Sequence, residues 1–312
     1  MNIAVVGLGA LGIAFATFLK KAGNTVYGIT KPEYLNRFPG GTVHVKGIWG
    51  NHSARLDGIY PSPADIKKKI RLVILTVKSY DTEKALTQIR PIVSEKTLIM
   101  IAQNGYGNYE KAVEMYGEKR VILARVIFGS KVVNGNTAEI TVSADDVRIG
   151  DPSGKINRED VIKVVETINS SGIPASYSPD VYQILWDKIL YNCALNPLGA
   201  LLDATYGQLA ENPETKKIMD NIITEIFQVT EKNNIKLRWE SPQAYIEHFY
   251  GRLIPPTAKH YPSMYYDLKS GKKTEIDALN GAVVMLGKRA GVPTPVNETI
   301  TRLIKFREKQ FQ

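Results

Sequence analysis

Apolar residues in this chain follow two rhythms, one on each side of about residue 180. In the first part they gather in short unbroken runs: Asn2–Val6, "TVYGI" (25–29), "RLVILTV" (71–77), "TLIMIAQ" (97–103) and "VILARVIFG" (121–129). Runs of that length between turn signals predict strands buried on both faces, as in a parallel sheet. "AEITVS" (138–143) and "DVRIGD" (146–151) read as later strands closing the same sheet. Helical spacing separates the runs at "IAFATFLKKAGN" (13–24), from about 82 to 93, and from about 158 to 169. Past Val181 strand signals almost vanish, and amphipathic stretches cover 181–202, roughly 212–234, 241–250 and 274–290. The Ser/Pro/Gly-rich piece "SSGIPASYSPD" (170–180) lies at the change and is the predicted hinge. The pattern predicts a doubly wound α/β sheet over 1–179 followed by an all-α C-terminal domain over 180–312.

The link between the first two runs carries chemistry. "GLGALG" follows the first strand and opens the first helix, which ends in lysines with Gly23 placed to cap it. Strand, glycine loop, helix and second strand in that order make the sheet Rossmann-type, with a dinucleotide cradle at Gly7, Leu8, Gly9, Ala10, Leu11 and Gly12. Gly7 permits the tight turn, Gly9 lets a pyrophosphate approach the backbone, and Gly12 permits close helix–strand packing. The pyrophosphate is then expected on the N–H groups of the helix N-terminus. Where an enzyme for the unphosphorylated dinucleotide places an acid, the second strand ends in Thr30–Lys31, with Arg37 beyond. Those cations suit a ribose 2′-phosphate, so NADP(H) is the expected cofactor, with Glu33 nearby as the contrary sign. Lys78 and Asn104 stand at the carboxyl ends of the runs at 71–77 and 97–103, the edge where such sheets bind ligands. Asn104 also begins an Asn-Gly pair, so turn formation is an alternative role.

A second candidate lies in "WDKILYNCALNP" (186–197), an apolar helix interrupted by Lys188, Asn192 and Asn196 at steps of four. At about 100° per residue the three fall along one strip. A polar line on a buried helix is tolerable if it faces a ligand. Other readings are open: Lys188 can snorkel to water, and Asn196 before Pro197 can cap a restarted helix. Asn192 has neither alternative.

Composition narrows the class. At 44% hydrophobic and 23% charged residues the chain has the balance of a soluble globular protein. Its single cysteine, Cys193, excludes an intramolecular disulfide and a Cys-based zinc site, and fits a reducing cytoplasm. The four histidines show neither metal-ligand spacing nor a Ser/His/Asp arrangement, so no metal is expected. Residues 3–19 are apolar, but three glycines break them and no basic residue precedes them, so neither signal peptide nor membrane span is expected. The net charge of +9 is scattered, with no basic run longer than Lys67–Lys69, and reads as a solvated surface rather than a nucleic-acid site.

Taken together, "GLGALG", "VKSYDT" (77–82), "QNG" (103–105), "WDKILYNCALNPLGAL" (186–201) and "PSMYYDLKSGKKTEIDALNG" (262–281) make the chain resemble the ketopantoate reductase family over nearly its whole length. The resemblance implies NADPH-dependent reduction of 2-dehydropantoate to pantoate, a step of pantothenate and coenzyme A biosynthesis. It implies Lys188 as general acid, Asn192, Asn196 and Ser263 as substrate contacts, and Glu275 as a further catalytic-site residue holding Lys188 and the substrate hydroxyl. It puts Lys78 and Asn104 by the nicotinamide half of the cofactor, with Asn104 also near the substrate. Without the resemblance, Glu275 reads as a carboxylate complementing the start of a helix. The expected partner is a small-molecule 2-oxo acid, with a homodimer allowed for, and neither nucleic acid nor membrane. Two rivals stand beside this: an NADP-dependent reductase of another 2-oxo acid, and a non-enzymatic NADP-sensing module.

Overall fold

The computed structural model describes residues 1–310. The chain divides into two compact units, one of Met1–Asn104 with Asn108–Val181, the other of Gly105–Gly107 with the chain from Tyr182 onward.

In the first unit Asn2–Val6 (β1) leads through the glycine loop into Ala10–Lys21 (α1) and returns along Thr25–Ile29 (β2). Thr42–Gly47 (β3), His52–Arg55 (β4) and Gly58–Tyr60 (β5) follow. Next come Leu72–Leu75 (β6), Thr82–Gln88 (α2), Leu98–Ile101 (β7) and Asn108–Tyr116 (α3). Val121–Arg125 (β8), Phe128–Asn134 (β9), Thr137–Ser143 (β10), Val147–Gly150 (β11), Arg158–Asn169 (α4) and Ala175–Tyr177 (β12) complete the unit.

Among the described residues the main sheet has eight strands in the order β12-β11-β8-β7-β6-β1-β2-β5. The six from β5 to β8 are parallel and reverse direction of addition at β1, the doubly wound arrangement with its switch point between β1 and β6. β1, β6 and β7 lie at its centre, and Ile3, Val5, Leu72, Ile74 and Met100 are fully buried. Both faces of these strands are covered, which is why they appear in sequence as unbroken apolar runs.

Two expectations need correction. The run 121–129 is not one strand: β8 ends at Arg125 in the main sheet, and β9 belongs to a second sheet of order β4-β3-β10-β9. β10 therefore does not close the main sheet but pairs with β3 and β9, and this small sheet packs against α1. Nor is 170–180 simply a hinge. Ala175–Tyr177 pairs in parallel with β11, and the Ser178 N–H donates to the Ile149 carbonyl at 2.8 Å.

The second unit is helical: Val181–Leu201 (α5), Tyr206–Glu211 (α6), Pro213–Lys232 (α7), Pro242–His248 (α8), Ser263–Lys269 (α9), Asn280–Ala290 (α10) and Pro295–Lys309 (α11). α5 continues through Pro197, so Asn196 caps no restarted helix. α7, α10 and α11 pack together. Thr294 gives α11 no side-chain cap. The buried Glu225 of α7 serves instead, accepting from Val296 N, Asn297 N and Asn297 Nδ2 at 2.8, 2.9 and 2.7 Å. A carboxylate on the N–H groups of a first turn is favoured by both hydrogen bonding and the helix dipole.

Candidate active site

At the carboxyl edge of the main sheet the glycine loop is built as its residue types suggest. Gly7 has φ +101°, and a Cβ there would lie 2.8 Å from the Val77 backbone nitrogen, on the strand-end across the switch point. A Cβ on Gly12 would meet the Gly7 carbonyl oxygen at 2.0 Å, while the Thr76 hydroxyl donates to that same oxygen at 2.7 Å. Gly9 differs: nothing stands within 4 Å of where its Cβ would be. Leu8 turns into the core, whereas Ala10 and Leu11 are half-buried. Gly9 occupies the N-cap of α1 without a side-chain cap, and no acid stands in the first turn. Open space, uncapped N–H groups and no carboxylate make a cradle that fits a pyrophosphate.

Lys31 and Arg37 lie at the two ends of the 3-10 turn after β2: Lys31 caps its start and Arg37 is its last residue. The Arg37 guanidinium stacks over the Tyr34 ring at 3.8 Å, and Lys31 Nζ pairs with Asp81 Oδ2 at 3.0 Å. Lys78 precedes the 3-10 turn Ser79–Asp81 and is half-buried, as is Asn104 after β7.

A hydrogen-bonded chain that sequence reading did not single out links these two loops. Gln103 Nε2 donates to the Val77 carbonyl (2.8 Å) and to Thr82 Oγ1 (2.7 Å). The Thr82 hydroxyl donates to Asn108 Oδ1 (2.7 Å), and Asn108 Nδ2 donates to the Asn104 carbonyl (2.9 Å). Gln103, Thr82 and Asn108 are all buried, so each bond replaces water that is absent and the chain fixes where Lys78 and Asn104 stand. The Asn104 carbonyl is thus engaged, and the residue sits on a held loop.

In the helical unit the strip on α5 holds together. Lys188 is half-buried and Asn192 and Asn196 are buried. Asn196 Oδ1 accepts from the Tyr206 hydroxyl at 2.8 Å, which leaves its Nδ2 protons as the outward donors. Tyr206 in turn meets Tyr191 edge-on at 5.7 Å, and Tyr191 shares a hydrogen bond of 2.8 Å with the Thr257 hydroxyl. Burial raises the pKa of Tyr206, and raises that of Tyr191 to about 12, so both are neutral hydroxyls at ordinary pH. Burial lowers the pKa of His260, whose ring lies 5.3 Å from Tyr206. For Asn192, no hydrogen bond among the described residues engages its side-chain amide. Its amide atoms are not among the fully enclosed polar atoms left without a partner, so they keep contact with solvent and are open to a ligand.

Ser263 is the first residue of α9 and is exposed. Pro262 before it packs on Gly199, where a Cβ would come within 3.0 Å of the Pro262 ring. Three residues past Asn196, Gly199 falls on the same strip at about 100° per residue. Glu275 is half-buried and precedes a 3-10 turn, Ile276–Ala278, rather than an α-helix. That turn leads into Asn280, whose Nδ2 donates to the Cys193 carbonyl at 3.1 Å. Pro197 has no N–H for that carbonyl, so Asn280 supplies the missing donor beside Asn192. Tyr206 and Asn280 were not anticipated; a proline inside an apolar helix was the available signal for the second. Among the described residues no group of three or more His, Cys, Asp or Glu side chains could hold a metal ion.

Comparison with known proteins identifies the family. Residues 3–154 match the family described as Ketopantoate reductase PanE/ApbA, and residues 180–308 match its C-terminal counterpart. A 2-dehydropantoate 2-reductase of Aquifex aeolicus (strain VF5) is 52% identical over 308 residues, 99% of this chain and 97% of that protein. A PanE/ApbA family ketopantoate reductase from Ralstonia eutropha JMP134 shares the fold with TM-score 0.89 at 24% identity, covering 100% of both chains. So does a D-mandelate dehydrogenase solved with NADH and anilino(oxo)acetate, with TM-score 0.87 and 24% identity over 100% of this chain and 99% of that one. With its family matched along both units and a relative sharing half its residues from end to end, the chain belongs to the ketopantoate reductase family.

Proposed function

We propose that the protein reduces 2-dehydropantoate to pantoate with NADPH, residues 1–179 holding the cofactor and 180–312 the substrate. The observation that carries the reading is the α5 strip: an amine and two amides in line, one amide oriented by Tyr206 and the other still reached by solvent. The 52% identity to a 2-dehydropantoate 2-reductase supports the substrate. Lys31 and Arg37, without an acid at the end of β2, support the 2′-phosphorylated cofactor.

When bound, the cofactor supplies a hydride to the substrate's carbonyl carbon. Lys188 meets the negative charge that develops on the carbonyl oxygen and delivers the proton. An ammonium binds a ketone oxygen weakly and an alkoxide strongly, and that difference accelerates the reaction. Asn192, Asn196 and Ser263 offer neutral donors to the carboxylate and hydroxyl. Glu275 accepts from the substrate hydroxyl and orients Lys188. In the cofactor half, the glycine loop takes the pyrophosphate and Lys78 and Asn104 fix the nicotinamide end.

D-Mandelate dehydrogenase shares this fold, so the fold does not select the 2-oxo acid. The test is NADPH oxidation with 2-dehydropantoate and 2-oxoisovalerate side by side. A site built to bond a hydroxyl rejects its absence, by factors reaching on the order of 10⁴ in strong cases. A clear preference for 2-dehydropantoate is expected. Equal efficiency would point to another 2-oxo acid, and no oxidation with any would point to a sensing module.

A further inference from the structure

Lys31 is not simply a cation displayed at the end of β2. Its Nζ lies 3.0 Å from Asp81 Oδ2, with 49% and 27% of the two side chains exposed. The partner comes from a different loop: Lys31 follows β2, Asp81 follows β6, and these strands flank β1 on either side. The pair therefore joins the two loops bordering the carboxyl end of β1, where the glycine loop begins. Asp81 also occupies the N-cap of α2, the position at which an aspartate ordinarily accepts from its own helix, yet its side chain makes no such bond. The carboxylate is turned to Lys31 instead. The hydrogen bond to Asp81, ahead of the opposing effect of burial, raises the Lys31 pKa, so the ammonium is charged and engaged.

Resting on the reading that Lys31 faces the ribose 2′-phosphate, we propose that Asp81 is a specificity-determining residue for the adenosine end of the cofactor. Its carboxylate competes with a 2′-phosphate for Lys31 and repels that phosphate. For a nucleotide without the phosphate, the same carboxylate is an acceptor for the ribose 2′-hydroxyl, the role an acid at the end of the second strand has in NAD-binding sheets. The protein thus binds both kinds of nucleotide, with a narrower preference than Lys31 and Arg37 alone would set. An exposed ion pair contributes little and is readily exchanged, so the effect is a tuning of several-fold rather than a switch.

The experiment is calorimetric titration of the full chain with adenosine 2′,5′-bisphosphate and with 5′-AMP, for the parent, Asp81→Asn and Lys31→Met. These probes carry no nicotinamide, so the reading is independent of turnover. Asp81→Asn is expected to bind the bisphosphate about three- to tenfold more tightly and 5′-AMP no more tightly, with the gain shrinking at high salt. Lys31→Met is expected to lose much of the preference for the bisphosphate. If Lys31→Met loses it but Asp81→Asn leaves the ratio of the two affinities unchanged or lowers it, the role of Asp81 is refuted while the cofactor reading stands. If the parent shows no preference, or Lys31→Met keeps it, the reading of Lys31 fails and the proposal with it.

Discussion

Lys188 differs from its companions on the strip in what it brings: a full charge and a transferable proton. Asn192 and Asn196 bring only neutral donors, and Tyr206 fixes the direction of one of them. The three should therefore fail differently when removed. Lys188→Ala is expected to lower the single-turnover rate by a factor on the order of 10²–10⁴, the usual worth of a positioned acid. Asn192→Ala should mainly raise the substrate KM, because an amide that holds the ground state also holds the transition state. Neither should change NADPH affinity, since both residues belong to the helical unit and the glycine loop and Lys31 to the other. A folded Lys188→Ala protein that binds NADPH and reduces 2-dehydropantoate at the parent rate would sink the mechanism.

At the scale of elements, one carbonyl of α5 is satisfied from outside the helix's own ladder. Pro197 withdraws the donor due to the Cys193 carbonyl, and the fully buried Asn280 replaces it while also donating to Asn297 Oδ1 at 2.9 Å. Asn280→Leu orphans both acceptors and should cost about 2–4 kcal/mol in urea unfolding, taking the usual penalty for each. Pro197→Ala restores the helix's own N–H, so the same substitution in that background should cost less. Additive losses in the double-mutant cycle would show that the two residues do not share the carbonyl. This dependence on distant partners also explains what the sequence could and could not reveal. The glycine loop, the central strands and the four-residue steps on α5 were legible because local spacing encodes them. Gln103, Thr82, Asn108 and Asn280 act through bonds to residues far along the chain, and Tyr206 reaches back from the next helix to Asn196; no spacing announces those. β3 and β4 give no strand signal because they are half-exposed, with His44, Lys46 and His52 breaking any apolar run. α11, by contrast, is locally encoded: Thr294–Pro295 is an adequate start signal, and Ile300 and Ile304 supply the buried face.

The whole molecule carries a net charge of +9, yet burial also perturbs neutral groups, the tyrosines packed into the helical unit among them. Tyr245 is the most deeply buried of these. It is 1% exposed, stacked on Phe249 at 5.8 Å and edge-on to Trp239 at 5.8 Å, and its hydroxyl has no hydrogen-bond partner among the described residues. Burial raises its pKa well above the ordinary value of 10.0, with Asp187 adding to the effect. Below pH 10 both the folded and unfolded chains keep this proton, so the contribution to stability is fully present. Above pH 10 the unfolded chain releases it and the folded chain does not. The unfolded state then binds fewer protons, and stability falls with rising pH by about 1.4 kcal/mol per pH unit for each such tyrosine. Tyr206 adds to the slope in the same direction, and Tyr191 does so up to about pH 12. Tyr245→Phe removes one proton from that balance and also removes a buried hydroxyl that gains no bond, a change that is neutral or stabilising when no partner is orphaned. Its urea midpoint should equal or exceed the parent's at pH 7 and should fall less between pH 7 and pH 11. A variant that loses as much stability as the parent over that interval would mean that the Tyr245 proton is released from the folded chain as easily as from the unfolded one.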